Sequence, residues 1–362
     1  MLGEEIKVLY YTDPTAFQIF GGAEIHMLKT KEYLEKMNNH VSVKLFDMFK
    51  DKLDEYNILH IFQMRRDCLS ICKLAKIKKL KIAITTFYEG WHPQFEAWKY
   101  SSLPLKTASK IRTYYSNLKS YNYPTFEELY PYKDFLEVGD IILPSSRIEA
   151  RFLSNKFRIN PRKFFPVPVG VDKIFSKATP EFFVQKYGLE DFVLFVGRIE
   201  QKKNVLRLLK AYRDIKIPLV IIGHFNYWDR EYFEECKKAA KHNSNIHFLG
   251  FISSRELISS AYAAAKVFVL PSFWETPGIV SLEAGLTGCN LVITDRGSTT
   301  EYFKNYALYA NPLSIEDIKA KILEAYEKPK DNKLKQHILE NYSWEKTAKE
   351  TMEAYNLALN KS

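Results

Sequence analysis

Long apolar runs, paired cysteines and internal repeats are all missing from this sequence of 362 residues. No stretch approaches the ~18 to 20 consecutive apolar residues that a membrane-spanning helix needs. The first residues, MLGEEIKVLYYT, are acidic where a signal peptide would be basic, so we expect a cytoplasmic protein. Four cysteines in so long a chain indicate no disulfide framework. Cys68 and Cys72 could share a helix face, more readily as two buried apolar side chains than as a metal pair.

Charge is the clearest bias of the composition. Lys and Arg number 53 against 43 Asp and Glu, a net charge of +10, while 46% hydrophobic residues are typical of a globular protein rather than a disordered one. The excess is concentrated in clusters at Lys73, Lys76, Lys78, Lys79, Lys81, Arg158, Arg162 and Lys163. Such clusters fit a solvated surface, or a face in peripheral contact with an anionic membrane. Nucleic acid is not an expected partner, because no recognition motif accompanies the charge.

Short apolar segments alternate with stretches of helical period. Strands are predicted at 6–12, 41–47, 58–62, 81–87, 140–145, 192–197, 218–223, 245–250, 266–272 and 290–295. Helices are predicted at 22–37, 203–213, 229–242, 254–264 and 279–287, and from an N-cap at Ser343 onward. Strands of this length, apolar on both faces and separated by helices, indicate parallel sheets.

The alternation breaks at residues 164–180, where prolines and a glycine predict a linker. We therefore expect an α/β protein of two doubly wound, Rossmann-like domains, 1–170 and 171–342, facing a cleft. A C-terminal helix, 343–362, is expected to pack back toward the first domain. Residues 100–135 fit the alternation poorly and are expected to form helices and loops at the cleft rim. Ligands of such sheets lie beyond the carboxyl ends of the strands.

The most informative segment is PSFWETPGIVSLEAGLTGCNLVITD at 271–295. Glu275 lies in the loop after a predicted strand, and Pro277 and Gly278 lead into a helix near Ile279. The first N–H groups of a helix have no partner within it, and its dipole is positive there, which suits a diphosphate. Glu283 follows about one turn later, so the two carboxylates can flank one ligand. Their spacing alone arises easily by chance, but the strand, Pro-Gly, helix and following glycine turn agree with it.

This segment resembles the E-x7-E signature of the GT-B glycosyltransferases, specifically the large retaining family 4, or glycosyl transferases group 1. The resemblance extends over nearly the whole chain in the family's order. Further matching elements are Gly21-Gly22-Ala23-Glu24, Asp140 to Ser145-Ser146, VPVGVD at 167–172, Phe195-Val196-Gly197-Arg198 with Lys203-Asn204, Leu249-Gly250-Phe251, and Gly297 with Glu301.

The resemblance implies a retaining, metal-independent transferase of the hexosyltransferase type, with an acceptor-binding first domain and a donor-binding second domain. It implies no cofactor beyond a UDP- or GDP-type sugar as substrate, and a glycan or lipid-linked acceptor. Arg198 and Lys203 would neutralise the donor diphosphate, Lys203 taking the charge that develops on the leaving group. Glu275 would bind the transferred sugar and Glu283 the ribose. The remaining donor-binding residues would be Gly21, Gly22, Gly197, Phe251, Gly278, Ile279 and Val280, the last two through their backbone N–H groups.

One position departs from the family. Many relatives carry a histidine after the strand at 81–87, where this chain has Phe87, which puts in doubt any histidine acting on the sugar. Glu89 and His92 are candidates for the acceptor side of the site. His60 lies inside an apolar strand, where a core histidine with satisfied hydrogen bonds is the usual finding.

Other functions are compatible with parts of the pattern. An oxidoreductase is disfavoured because no G-x-G-x-x-G follows the first strand. A GT-B nucleotide-sugar epimerase would not be expected to combine E-x7-E with Arg198 and Lys203. A non-catalytic nucleotide-sugar binding protein stays open, although the donor residues are all present. For a transferase, Glu275→Gln or Lys203→Ala is expected to abolish transfer and leave thermal unfolding nearly unchanged.

Overall fold

The computed structural model describes residues 5–13, 16–18, 21–37, 40–64, 66–88, 131–225 and 229–360. These residues fall into two compact units. The first comprises the described parts of 5–88, 131–170 and 344–360, and the second comprises those of 171–343. Glu89, His92 and most of the 100–135 segment lie outside the described residues.

The first unit is built on a five-stranded parallel sheet. Its strands are β1 (Ile6–Tyr11), β2 (Val41–Leu45), β3 (Ile58–Phe62), β4 (Lys81–Thr86) and β5 (Ile141–Pro144), in the order β2-β1-β3-β4-β5. Its helices include α1 (Gly22–Met37), α2 (Arg66–Ile77), α3 (Tyr132–Val138) and α4 (Arg147–Phe157). All five residues of β3 are buried, as expected for a central strand that is covered on both faces.

The second unit contains a six-stranded parallel sheet. Its strands are β6 (Phe192–Val196), β7 (Leu219–Ile222), β8 (Ile246–Gly250), β9 (Ala265–Leu270), β10 (Asn290–Thr294) and β11 (Ala307–Ala310). Its helices are α5 (Glu181–Tyr187), α6 (Val205–Ala211), α7 (Arg230–Ala240), α8 (Arg255–Ala264), α9 (Ile279–Leu286), α10 (Thr299–Phe303), α11 (Ile315–Glu327) and α12 (Lys333–Asn341).

The strand order of the second sheet, β11-β10-β9-β6-β7-β8, reverses direction between β6 and β9. Successive strands are added outward on one side from β6 and on the other from β9. The connections that leave the carboxyl ends of these two neighbours therefore diverge and leave a crevice. In doubly wound sheets this switch point is where ligands bind.

The last helix, α13 (Trp344–Asn360), belongs to the first unit although it follows the second in sequence. Ala348, Ala354, Tyr355 and Ala358 lie in the hydrophobic core around β1, β3 and β4. Ser343 directly precedes this helix and pairs through its backbone with Val171.

The prediction of two doubly wound α/β sheets is confirmed, with strand bounds within about two residues of those predicted. Within 164–180, Lys173–Lys177 form a 3-10 helix. No bounds were predicted from the sequence for strand β11 or for helices α2–α5 and α10–α12. Strand β11, ALYA, lies at the edge of its sheet, and only its first and last residues are buried.

Candidate functional site

The candidate site is built at the switch point of the second sheet. Strand β6 ends at Val196, and its chain continues through Gly197 and Arg198 to a short 3-10 helix, Gln201–Lys203. Strand β9 ends at Leu270, and its chain continues into the loop that carries Glu275. Because β6 and β9 are hydrogen-bonded neighbours, both loops start at the same edge of the sheet.

Two of the predicted catalytic residues form an ion pair. The Lys203 Nζ lies 2.6 Å from the Glu275 Oε1, although 72 positions separate them in sequence. Only 16% of the Lys203 side chain and 5% of the Glu275 side chain are exposed. The fold therefore places a cation and a carboxylate together in a poorly hydrated position, where charges interact more strongly than in water.

Asn204 ties the two loops together directly behind this pair. It adopts a left-handed conformation with φ of 60°, which asparagine tolerates better than most residues. Its buried amide donates hydrogen bonds to the carbonyl oxygens of Pro271, at 2.9 Å, and Pro312, at 2.7 Å. The first bond joins the start of the Glu275 loop to the residue that follows Lys203. Sequence reasoning assigned no role to Asn204, and its partners are set by the tertiary fold.

The backbone of Glu275 is held by the loop after β10. Its N–H donates to the Arg296 carbonyl at 3.3 Å, and its carbonyl accepts from the Ser298 N–H at 2.8 Å. Gly297 lies between these partners with φ of +91°, and a Cβ there would be 2.1 Å from the Glu275 carbonyl oxygen. Only glycine permits this close approach, so Gly297 sets the position of the Glu275 main chain.

Helix α9 begins immediately after this loop. Gly278 is its N-cap, with φ of +86° and no side chain to cap the helix. As the first two helical residues, Ile279 and Val280 have N–H groups without intrahelical acceptors. Both residues are partly exposed. A Cβ on Gly278 would lie 3.1 Å from the Glu275 Oε2, so the helix start and the carboxylate are in close proximity.

Glu283 projects from the same helix, one turn after Ile279 and thus on the same face. Its Oε2 accepts a hydrogen bond from the Tyr262 hydroxyl at 2.9 Å. Burial raises the pKa of Glu283 to about 7, although the Tyr262 hydroxyl and the positive charge of Arg255 both act in the opposite direction. Glu283 therefore changes its charge near neutral pH.

Arg198 lies at the end of β6 and is more exposed than Lys203. Its Nε is 3.2 Å from the Glu200 Oε2, and 36% of its side chain is exposed. Gly197, the residue before it, lies against Gly223, where a Cβ would be 1.9 Å from the Gly197 carbonyl oxygen. At the neighbouring strand ends, Phe251 is 69% exposed and its ring contacts that of His224 at 5.5 Å between centroids.

Gly21 and Gly22 lie in the first unit, at the start of α1. The Gly21 N–H donates to the Glu24 Oε2 at 2.7 Å, and Gln63 donates to the other carboxylate oxygen of Glu24 at 3.0 Å. A Cβ on Gly21 would meet only Glu24, at an ordinary contact distance of 3.5 Å. Nothing in the described residues therefore requires glycine at position 21.

His60 is a core residue, as its place in an apolar strand indicates. Its ring nitrogens are hydrogen-bonded to the Tyr355 hydroxyl, at 2.6 Å, and to the Thr85 hydroxyl, at 2.8 Å. The histidine beside Phe87 is instead His26 of α1, with 5.4 Å between ring centroids. Burial lowers the pKa of His26 to about 4, so it is neutral at physiological pH. Nothing in the sequence distinguishes His26 from an ordinary helical histidine, so its place beside Phe87 could not be predicted.

The described residues form neither a metal-binding cluster nor a membrane-spanning helix. Among the residues that the structure describes, no group of three or more His, Cys, Asp or Glu side chains could hold a metal ion. Within the same residues, no helix is both long enough and apolar enough to cross a bilayer.

Comparison with solved structures identifies the class of fold. The chain superposes over 99% of its length on all of a sucrose-phosphate synthase from Thermosynechococcus elongatus, with 16% identity and a TM-score of 0.74. It superposes over 98% of its length on all of the Anabaena protein HepE, solved with UDP and glucose, with 15% identity and a TM-score of 0.71. The two-unit α/β architecture is the GT-B fold.

Comparison of sequences finds a family match within the second unit. Residues 178–343, nearly all of this unit, match the family model described as glycosyl transferases group 1. The O-antigen chain mannosyltransferase B of Escherichia coli is 29% identical over 189 residues, which cover 48% of each chain. The chain thus spans about half the length of the curated relatives it matches. The predicted resemblance to glycosyl transferases group 1 is confirmed for residues 178–343. Membership of family 4 and retention of the anomeric configuration stay predictions.

Proposed function

We propose that the protein is a retaining glycosyltransferase of the hexosyltransferase type, which moves a sugar from a nucleotide-diphosphate donor to a glycan, lipid-linked or other acceptor. The observation that carries this proposal is the Lys203–Glu275 ion pair beside the uncapped start of α9, at the switch point of the second sheet. This arrangement offers positive charge, free N–H groups and a carboxylate within one small region.

A donor diphosphate fits the positive groups. Its negative charge would be shared by Lys203, Arg198 and the N–H groups of Ile279 and Val280. When the donor binds, its phosphate oxygens compete with Glu275 for the Lys203 ammonium. This exchange frees the carboxylate to accept hydrogen bonds from the hydroxyl groups of the transferred sugar.

Charge development during transfer explains why these groups would accelerate it. As the bond between sugar and phosphate breaks, negative charge grows on the leaving diphosphate. Lys203 is held by the fold before the reaction and would stabilise this charge without reorganisation. Because Arg198 and Lys203 supply the positive charge, we propose a metal-independent reaction with no cofactor other than the donor substrate.

The relatives support particular substrate classes. The HepE structures contain UDP and UDP-glucose, and the Escherichia coli relative is named a mannosyltransferase of the O-antigen chain. We therefore propose a UDP- or GDP-type donor and a glycan acceptor, free or lipid-linked.

A panel of nucleotide sugars tests the proposal. We expect one donor to raise the melting temperature of the protein and to give, with acceptor glycans, a product whose anomeric configuration by NMR equals that of the donor. An inverted product would refute retention. Release of an epimerised sugar nucleotide from donor alone would indicate an epimerase. Tight donor binding without transfer or hydrolysis would indicate a binding protein.

Glu283 predicts a pH dependence of donor binding. An ionised carboxylate accepts hydrogen bonds from both ribose hydroxyls, whereas a protonated one must use an oxygen as donor. We therefore expect donor affinity to fall as the pH drops through about 7, approaching tenfold per unit below it. A diphosphate esterified at both ends does not titrate in this range, so calorimetry with a nucleotide sugar reports the protein.

Two variants check the assignment. Glu283→Gln should bind the donor more weakly, and its donor affinity should show no change near pH 7. In Tyr262→Phe the fall in donor affinity should occur at a higher pH, because the Tyr262 hydroxyl lowers the pKa of Glu283. An unchanged pH dependence of donor affinity in Glu283→Gln would refute the proposed binding of the ribose by Glu283. Because the folded-state pKa is raised, Glu283 makes the fold less stable as the pH rises from about 4.5 to about 7. Melting temperatures must therefore be compared with the unliganded protein at each pH.

A further inference from the structure

A turn after β2 presents two large apolar side chains to solvent. Phe49 is 89% exposed and Met48 is 67% exposed. The turn itself is well ordered: Asp47 accepts a hydrogen bond from the Phe49 N–H at 3.0 Å, and Asp51 accepts from the Asp47 N–H at 2.8 Å and from the Tyr56 hydroxyl at 3.1 Å. The two side chains are thus held outward by a defined backbone.

Helix α2 also presents apolar side chains to solvent. Ile77 is 77% exposed and Leu74 is 45% exposed, on the outward stripe of the helix. A groove of about 290 Å³ lies between the helix and the segment after the turn, with Leu74 on one side and Lys52 on the other. The segment that follows the turn and helix α2 therefore lie side by side in the first unit, where Lys78 of the chain after the helix also pairs with Asp54.

Cations outnumber carboxylates on this face. Asp47, Asp51 and Asp54 are each engaged by a lysine, from Lys50, Lys44 and Lys78 respectively. By contrast, the exposed side chains of Lys52, Arg66, Lys73 and Lys79 form no ion pair with any described residue. Of the clustered lysines predicted to meet a membrane, Lys76 and Lys78 are already paired with Asp140 and Asp54.

We propose that this face docks on an anionic lipid bilayer, with Phe49 and Met48 inserted among the headgroups and the four unpaired cations on lipid phosphates. We term this surface the lipid face, and it comprises Met48, Phe49, Lys52, Arg66, Lys73, Leu74, Ile77 and Lys79. Transfer of an exposed aromatic side chain from water into the bilayer interface lowers the free energy of binding. Attraction of the surrounding cations to the negative surface potential lowers it further. The alkyl stems of the lysines can lie along the apolar groups while their ammonium groups reach the headgroups.

Charge complementarity is the reason for choosing a bilayer as the occupant. A second copy of this chain would bring the same cations against one another. A nucleic acid would satisfy the cations but leave the methionine and the two aliphatic side chains of α2 without apolar partners. A bilayer surface satisfies both groups, because it presents anionic headgroups above an apolar interior. This inference is independent of the proposed transfer reaction, since the lipid face contains none of the donor-site residues.

Co-sedimentation with vesicles tests the lipid face. We expect the full chain to pellet with vesicles of phosphatidylcholine and phosphatidylserine, to release with added salt, and to remain in solution with phosphatidylcholine alone. Lys52→Gln/Lys73→Gln/Lys79→Gln should weaken partitioning about a hundredfold, at about fivefold per basic residue. Met48→Ser/Phe49→Ser should weaken it about tenfold and leave a larger share of the remaining binding sensitive to salt.

Matched controls separate the face from net charge. Lys216→Gln/Lys238→Gln/Lys241→Gln removes the same charge from exposed positions of the second unit, and Phe182→Ser removes an exposed aromatic side chain there. Both should bind vesicles like the unmodified protein. Failure of the unmodified protein to pellet with anionic vesicles at low salt would overturn the proposal. So would equal losses in the control variants, or a change of oligomeric state in Met48→Ser/Phe49→Ser by light scattering.

Discussion

Lys203→Ala is expected to lower the turnover of sugar transfer by about 10² to 10³, the range found when one preorganised donor to a developing charge is removed. Glu275→Gln should reduce transfer to a similar extent, because the transferred sugar would lose a charged hydrogen-bond acceptor. Initial rates at saturating donor measure both effects. A variant with normal turnover would refute the assignment of its residue.

The ion pair changes what these variants should do to stability. From the sequence alone, each substitution is expected to leave unfolding nearly unchanged. In the structure each one leaves a poorly hydrated partner without its counter-charge. Breaking a buried pair on one side is strongly destabilising, and we expect a loss of about 2 to 3 kcal/mol, since Lys203 keeps some exposure.

The double variant Lys203→Gln/Glu275→Gln separates the loss of stability from the loss of transfer. It removes both charges together, so it should be more stable than Lys203→Ala while remaining as inactive. Urea unfolding of the single and double variants gives the coupling between the two residues. Additive losses of stability would contradict the ion pair, and recovery of transfer in the double variant would contradict the catalytic roles.

Much of the second unit's site could be predicted because its signals are local. The Pro277-Gly278 step, the start of α9 and the carboxylate of Glu283 lie within a few residues of one another. Their geometry follows from where a helix begins. Helix α1 was also predicted at its exact bounds, because its sequence after Gly22 contains no proline or glycine that would interrupt a helix.

What could not be predicted depends on contacts between distant segments. The partner of Lys203 lies 72 residues away and is determined by the adjacency of β6 and β9, which no spacing in the sequence encodes. The same holds for the amide of Asn204, which joins Pro271 and Pro312. The raised pKa of Glu283 also requires the tertiary structure, because its main cause is burial.

Gly297→Ala is expected to reduce transfer about a hundredfold, although Gly297 lies in a different loop from every predicted catalytic residue. The new Cβ would lie 2.1 Å from the Glu275 carbonyl oxygen, so the Glu275 main chain must move away. A displacement of about 1 Å in a positioned catalytic group can cost this much in rate. Steady-state kinetics and donor affinity should both change, since Glu275 would leave Lys203 as well as the sugar.

Gly288→Ala is the matched control for backbone strain. Gly288 has φ of +86°, close to the +91° of Gly297, but a Cβ there would meet no atom within 4 Å. Gly288→Ala should lose about 1 to 2 kcal/mol of stability, because alanine is strained at positive φ, and Gly297→Ala should lose more, because its Cβ also displaces the Glu275 main chain. Only Gly297→Ala should also lose transfer. Equal turnover in the two variants would mean that the backbone of Glu275 does not depend on this contact, and that the carboxylate is positioned by its side-chain partners alone.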